Sequence, residues 1–455
     1  MKTLTVVLIG AGSASFGRGA IVDLLSAEDL KGFQLDLRLV DVNETALERM
    51  FRFAEKVKQE LASSAILSRS TDRTRLLEGA DYVVVSVSVN RWQLWEKDFY
   101  VPAVYGFRHV NGENGGPGGA FHTLRSLKLV VPIVKDMERL CPNALLINFT
   151  NPESRVILAV SKLSKIRAVG LCHGVYHTLN GLSAALSVPR PDLDITIAGI
   201  NHFHWVMAIR NSRTGEDLLP EFNRRMARSD CGFDTATRQM YDLFGHLTYP
   251  SRSHPCEYVP FGHQIAGPAI LDWGIGAVAR NLRDTASDLR YERDGGKNQP
   301  SYELWSLEQA EKLEKAAGGD RATLRELIAP TEELMVNIIA DIELDRRRKE
   351  VSVNVPNTTK AIENLREDVI VELPAMVDRK GIDPIHIGRL PEGLAGICQL
   401  QACIQNLLVE AYVTGSKHAL FQAIAVDPVV DNLPNARAMM EHMLRLEAEY
   451  LPELR

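Results

Sequence analysis

Five short runs constrain the fold of this chain more than any other feature: LTVVLIG (4–10), LDLRLVDV (35–42), DYVVVSVSV (81–89), ALLINFT (144–150) and IRAVGLC (166–172). Each is rich in aliphatic residues, as strands covered on both faces are, and such strands belong to parallel sheets clothed by helices. Between them, ETALERMFRFAEKVKQEL (44–61) and HTLRSLKLVVPIVKDMERL (122–140) carry the helical period, the second expected to kink or split at Pro132. Alternation of this kind predicts stacked β-α-β units over the first 200 residues or so.

From about residue 195 the texture changes. LDITIAGINHFHWVMAIR (193–210) predicts strand, turn, strand; 215–350 is polar and helical, with a solvated helix pair broken at Gly318 and Gly319. DVIVELPAMVD (368–378) predicts a further strand, and 393–427 a strongly periodic helical region. No flexible tether separates the halves, so they are expected to share an interface.

With 455 residues the chain exceeds one hydrophobic core. A net charge of -6 offers no footprint for nucleic acid or an anionic membrane surface, so the expected partner is a small molecule. No stretch approaches the roughly 20 apolar residues of a membrane span. The N-terminal MKTLTVVLIGAG passes directly into a glycine turn and is taken as a first strand, not a signal peptide. Six cysteines without paired spacing fit a reducing cytoplasm.

The turn GAGSAS (10–15) after the first strand lets the backbone approach a pyrophosphate, whose charge sits on the N-terminus of the next helix. Gly10, Gly12, Ser13, Ser15 and Phe16 are the expected cradle, with Asn90 beyond the third run. Ser15 stands where the usual third glycine would be, and Gly17 follows two residues on. Asp41, at the end of the second run, is placed to accept from the adenosine ribose hydroxyls and to select NAD over NADP. The expected architecture is α/β: a Rossmann-type parallel sheet over 1–195, followed by an α/β substrate- and metal-binding domain over 196–455.

Open parallel sheets place ligands at the carboxyl ends of their strands. There the sequence offers Asn90 and Arg91, the glycine-rich RHVNGENGGPGGAFHTLRS (108–126), Asn148 and Asn151, Cys172 and His173, and Asn201 with His202. A thiolate from Cys172 and an imidazole from His202, with open positions for substrate oxygens, would hold a catalytic divalent cation such as Mn²⁺, with His173 as an acid or base. Taken alone, a strand-end cysteine is more often core.

The ordered set GAGS, GENGGPGG before LRS, TNP (150–152), CHGV (172–175), GINHF (199–203) and HPCEYVPF (254–261) resembles glycoside hydrolase family 4, the NAD- and manganese-dependent glycosidases, over essentially the full length. The resemblance implies a lactate/malate-dehydrogenase-like fold, a homodimer or homotetramer, and a mechanism without a catalytic carboxylate pair. NAD⁺ oxidises the sugar C3 hydroxyl, a base removes the C2 proton, the aglycone is eliminated, water adds, and the steps reverse. It implies Cys172 and His202 as metal ligands, Asn151 as a substrate-binding residue, His173 as the acid and Tyr258 as the C2 base, with His254 or Glu257 as alternatives for the base.

The tetrapeptide CHGV looks closest to the branch acting on α-linked uronic acids. An anionic sugar needs cationic partners, and Arg91, Arg108, His109 and Arg125 are the expected ones, with Asn148 beside them and Arg280 and Arg283 further along. Sulfoquinovosides, or neutral α-galactosides or α-glucosides, are the alternatives within the same mechanism. Outside it stand an NAD-dependent 2-hydroxy-acid dehydrogenase and an NAD-sensing binding protein.

Overall fold

The computed structural model describes residues 1–228, 231–267, 301–331 and 333–455. Six parallel strands, β1 (Thr3–Ile9), β2 (Gln34–Val40), β3 (Ile66–Ser70), β4 (Tyr82–Val85), β5 (Leu145–Asn148) and β6 (Arg167–Gly170), lie in the order β3-β2-β1-β4-β5-β6. This is the doubly wound order, with its topological switch between β1 and β4. Five of the six coincide with the apolar runs. The sixth, β3, is an edge strand of sequence ILSRS whose residues are all at least partly exposed, so it lacks the apolar signature of a buried strand.

The sheet does not stop at β6. Five more strands, β7 (Leu193–Ile200), β8 (Phe203–Asn211), β9 (Arg348–Pro356), β10 (Ile370–Asp378) and β11 (Gly381–Pro384), continue it as β6-β9-β10-β7-β8, with β11 on β10. These added pairings are antiparallel. The strand-turn-strand expected over 193–210 is β7 and β8. By contrast β9, RKEVSVNVP, begins with charged residues at the end of the polar stretch expected to be helical, and no strand was expected there.

The helix expected from residue 122 begins at Gly116, where Pro117 occupies the first turn and loses no hydrogen bond. It runs unsplit to Leu140 through Pro132, because Leu127, Val130, Ile133, Val134 and Met137 seat it in the core beside the parallel strands. Each such aliphatic contributes about 1.5–3 kcal/mol, comparable to the cost of an interior proline. The helices Ser301–Ala317 and Arg321–Leu327 flank the expected break at Gly318 and Gly319. Arg280 and Arg283 lie outside the described residues. Among the described residues no helix is long and apolar enough to cross a membrane.

Candidate active site

At the end of β1, Gly10 has φ +89°, and an added Cβ would lie 1.9 Å from the Ser86 carbonyl oxygen, so only glycine fits. A Cβ on Gly17 would come within 2.2 Å of the Ala11 carbonyl oxygen. The close turn-to-helix approach that the third glycine normally allows therefore falls on Gly17, and Ser15 is free to differ. Ser13 Oγ accepts from the Phe16 N–H at 3.2 Å and lies 3.3 Å from Ser15 Oγ. The helix Phe16–Ser26 has no acidic residue in its first turn, which keeps its positive end available to an anion. Asp41 accepts from the N–H groups of Gly12 (2.8 Å) and Asn43 (2.9 Å), and its oxygens retain lone pairs for further donors. Asn90 adopts a left-handed φ of 39° before the helix Arg91–Val104, and its Nδ2 donates to the Tyr450 hydroxyl at 2.9 Å.

Cys172 and His202 come from different parts of the chain and meet through the sheet. Gly170 of β6 pairs Asn354 of β9, Asn354 pairs Glu372 of β10, and Glu372 pairs Gly199 of β7. One row across four strands thus carries the residues just after Gly170 and Gly199 to a common place. Cys172 Sγ lies 3.3 Å from His202 Nε2. Burial holds the His202 imidazole well below its ordinary range, hence neutral, and pushes the Cys172 thiol up, an effect that a bound divalent cation reverses. Glu372 also accepts from Ser352 Oγ (2.8 Å) and lies 3.1 Å from His204 Nδ1, while His204 Nε2 meets Thr178 Oγ1 at 3.0 Å, which fixes the strand beneath His202.

Around the pair, the His254 ring stands edge-on to His202 with centroids 4.4 Å apart, and Tyr249 lies 5.9 Å from His202 and 5.2 Å from His254. Burial pushes His254 down to about 4, so it too is neutral. His173 is mostly exposed at the start of the next helix, and Glu333 Oε1, 3.5 Å from its Nδ1, raises its affinity for a proton. Tyr258 is buried, its hydroxyl 3.4 Å from the Asn201 carbonyl, and burial drives its phenol well above the ordinary range. Asn151 is joined to Pro152 by a cis peptide bond, and its carbonyl accepts from Ser126 Oγ at 2.6 Å. Among the described residues no group of three or more His, Cys, Asp or Glu side chains converges as a metal site.

Three of the expected substrate contacts are turned inward. Asn148 is fully buried and bonds both ends of its amide to the Thr150 backbone at 3.1 Å, closing a local turn. Arg125 is buried between Asp98 and Glu447, a structural ion triad rather than an open anion grip. His109 is buried, stacked on Phe99 with centroids 4.8 Å apart, and meets the Phe99 carbonyl at 2.8 Å. Burial pushes it down to about 4, so it carries no charge near neutrality. Arg91 does reach the crevice, over Trp92 and Trp95, but pairs with Glu113 at 2.6 Å.

His109 has a pH consequence. Its folded affinity for protons lies below the ordinary 6.5, so its contribution to stability is complete above that pH and is lost as pH falls toward about 4. The loss amounts to about 3 kcal/mol. Urea unfolding between pH 7 and pH 4 measures it, and His109→Leu is expected to flatten that part of the profile.

A doubly wound sheet with a glycine cradle and a thiol–imidazole pair across its crevice defines a dinucleotide-binding α/β enzyme to which a second reactive group has been added. Residues 5–188 match the model of the family 4 glycosyl hydrolases, and 197–430 match that of the family 4 glycosyl hydrolase C-terminal domain. The chain belongs to the family 4 glycosyl hydrolases. It is 27% identical to an α-glucosidase of Erwinia rhapontici (99% of each chain) and 29% identical to an α-galactosidase of Bacillus subtilis strain 168 (100% of each). It is 26% identical to an α-galacturonidase of Thermoanaerobacterium saccharolyticum, over 98% of this chain and 96% of that one. A 6-phospho-α-glucosidase from gut microorganisms has the same fold at 20% identity over the whole of both chains. Its TM-score is 0.80 in complex with NAD and glucose-6-phosphate and 0.77 in complex with NAD and Mn²⁺. Malate dehydrogenase of Cryptosporidium parvum shares the fold more distantly, with a TM-score of 0.51 at 14% identity over 91% of this chain and 100% of that one. Fold alone is thus common to dehydrogenases and to this family, whereas the family match covers both halves of the chain.

Proposed function

We propose that this enzyme is an α-glycosidase that works with NAD and a divalent cation, Mn²⁺ first, and cleaves its substrate by oxidation at C3 and elimination. The observation that carries this reading is the 3.3 Å approach of Cys172 Sγ to His202 Nε2 at the carboxyl end of β6. With bond lengths like those of zinc, about 2.3 Å to sulfur and 2.05 Å to nitrogen, two neighbouring ligands stand about 3.1 Å apart at a right angle and about 3.6 Å at a tetrahedral one. The pair fits a cation at that spacing and leaves its remaining positions to substrate oxygens.

When bound, NAD⁺ supplies a hydride acceptor and the cation a Lewis acid for the oxygens at C2 and C3. Residues 1–195, through Gly10, Gly12, Ser13, Phe16 and Asp41, hold the dinucleotide, and residues 196–455 complete the sugar site. His173, whose affinity for a proton Glu333 raises, would give its proton to the departing aglycone. Tyr258, whose affinity for protons burial raises, would take the C2 proton; a divalent cation held by Cys172 and His202 would supply positive charge that lowers that affinity. Asn151, at the end of β5, binds the sugar.

Two of the four cations expected to meet an anionic sugar, His109 and Arg125, are committed inside the fold, and Arg91 is paired with Glu113. We place a neutral α-linked hexoside ahead of a uronide or sulfoquinovoside on the names of the Erwinia and Bacillus relatives. A panel of p-nitrophenyl glycosides tests this: α-galactoside or α-glucoside is expected to turn over faster than α-galacturonide or α-glucuronide. EDTA is expected to stop the reaction and Mn²⁺ to restore it. Preference for a uronide would return the assignment to an anionic sugar, and full activity in EDTA would remove the metal.

A further inference from the structure

We infer that Asn114 is a positioning residue that turns His202 toward the cation, on a loop clasped by the Glu257 carboxylate. This rests on the metal reading above. For Nε2 of His202 to offer a lone pair, the ring proton must sit on Nδ1. The Asn114 amide lies 3.2 Å from that Nδ1 through its Nδ2 atom. An amide nitrogen only donates, so the partner that a protonated Nδ1 needs is the amide oxygen, and in the metal-binding state Asn114 presents Oδ1 to the ring. An N–H donated in this way fixes the plane of the imidazole and raises the basicity of its other nitrogen.

The backbone makes such a hold necessary. His202 stands in the tight turn between β7 and β8 with φ +62°, so its side chain projects from a turn rather than from a regular strand, and its ring plane is set by what it touches. Asn114 is suited to supply it, being 3% exposed and fixed through its own main chain. The Glu257 carboxylate accepts from the N–H groups of Glu113 at 2.8 Å and Asn114 at 3.3 Å. A Cβ on Gly115 would come within 2.4 Å of the Glu257 carbonyl oxygen, so the loop is pressed against residue 257 at the next position as well. Glu257 therefore acts two steps away: it seats the loop, the loop seats Asn114, and Asn114 aims His202.

The test uses the full-length protein with Co²⁺ as probe, following the thiolate-to-cobalt absorption on titration and NAD affinity in parallel. Asn114→Ala is expected to weaken Co²⁺ binding by about 10–100-fold with NAD affinity unchanged. Asn114→Asp, which keeps an acceptor facing Nδ1, is expected to recover most of that loss. An Ala variant that binds Co²⁺ as tightly as the parent, or an Asp variant as weak as the Ala variant, overturns the inference. If the parent protein itself shows no thiolate-to-cobalt band, the metal reading fails, and that result is distinct from a band whose affinity is indifferent to residue 114.

Discussion

Cys172→Ser is expected to lower kcat on the order of 10³-fold and to leave NAD affinity unchanged. On the proposed reading the thiolate is one of two protein ligands; serine keeps the shape but offers a hydroxyl that does not ionise near neutrality, so the cation would be lost or displaced from the sugar oxygens. The dinucleotide turn at Gly10 to Phe16 ends a different strand and does not use the sulfur. If Cys172 were merely a core residue, serine would cost stability and spare turnover. Steady-state kinetics with Mn²⁺ in excess, together with NAD binding by fluorescence, separates the two outcomes.

Gly10→Ala is expected to be the most damaging single-atom change in the cradle. The new methyl would meet the Ser86 carbonyl oxygen at 1.9 Å in a left-handed backbone conformation. The strain of that conformation, about 1–2 kcal/mol, adds to the cost of overpacking, about 1–3 kcal/mol. Ser86 follows β4 directly, and its N–H bonds the Ile9 carbonyl at 3.0 Å, so the clash cannot be relieved without parting β1 from β4. Loss of about 2–5 kcal/mol in unfolding free energy, with NAD binding abolished, is the expected result. A variant that binds NAD normally would place the pyrophosphate elsewhere.

How much of this was legible beforehand depends on whether the signal is local. The buried parallel strands announced themselves as apolar runs, and Cys172, His173 and His202 were visible after strand ends, whereas Tyr258 came only from the resemblance of HPCEYVPF to the family. What brings Cys172 to His202 was not visible, because the row joining them passes through Asn354 and Glu372, and the strand that carries Asn354 was not expected from the sequence. The same distance in sequence hid the true partners of Arg125, since Glu447 lies 322 residues away. His109 looked cationic because its burial against Phe99 is a tertiary fact. Asn114 sat inside the conspicuous GENGGPGG motif, but nothing local distinguishes it from Asn111 until the ring of His202 stands beside it.

The central claim is that the glycosidic bond is cleaved by oxidation and proton abstraction at the sugar ring, with the cofactor restored in every turnover. It is tested most directly by turning over a p-nitrophenyl α-hexoside carrying deuterium at C2, with NAD⁺ and Mn²⁺ present, while absorbance reports both nitrophenol and NADH. The account predicts slower release of nitrophenol from the deuterated substrate and no net accumulation of NADH. Equal rates for the two isotopologues with activity independent of NAD⁺, or NADH accumulating without nitrophenol, would contradict it.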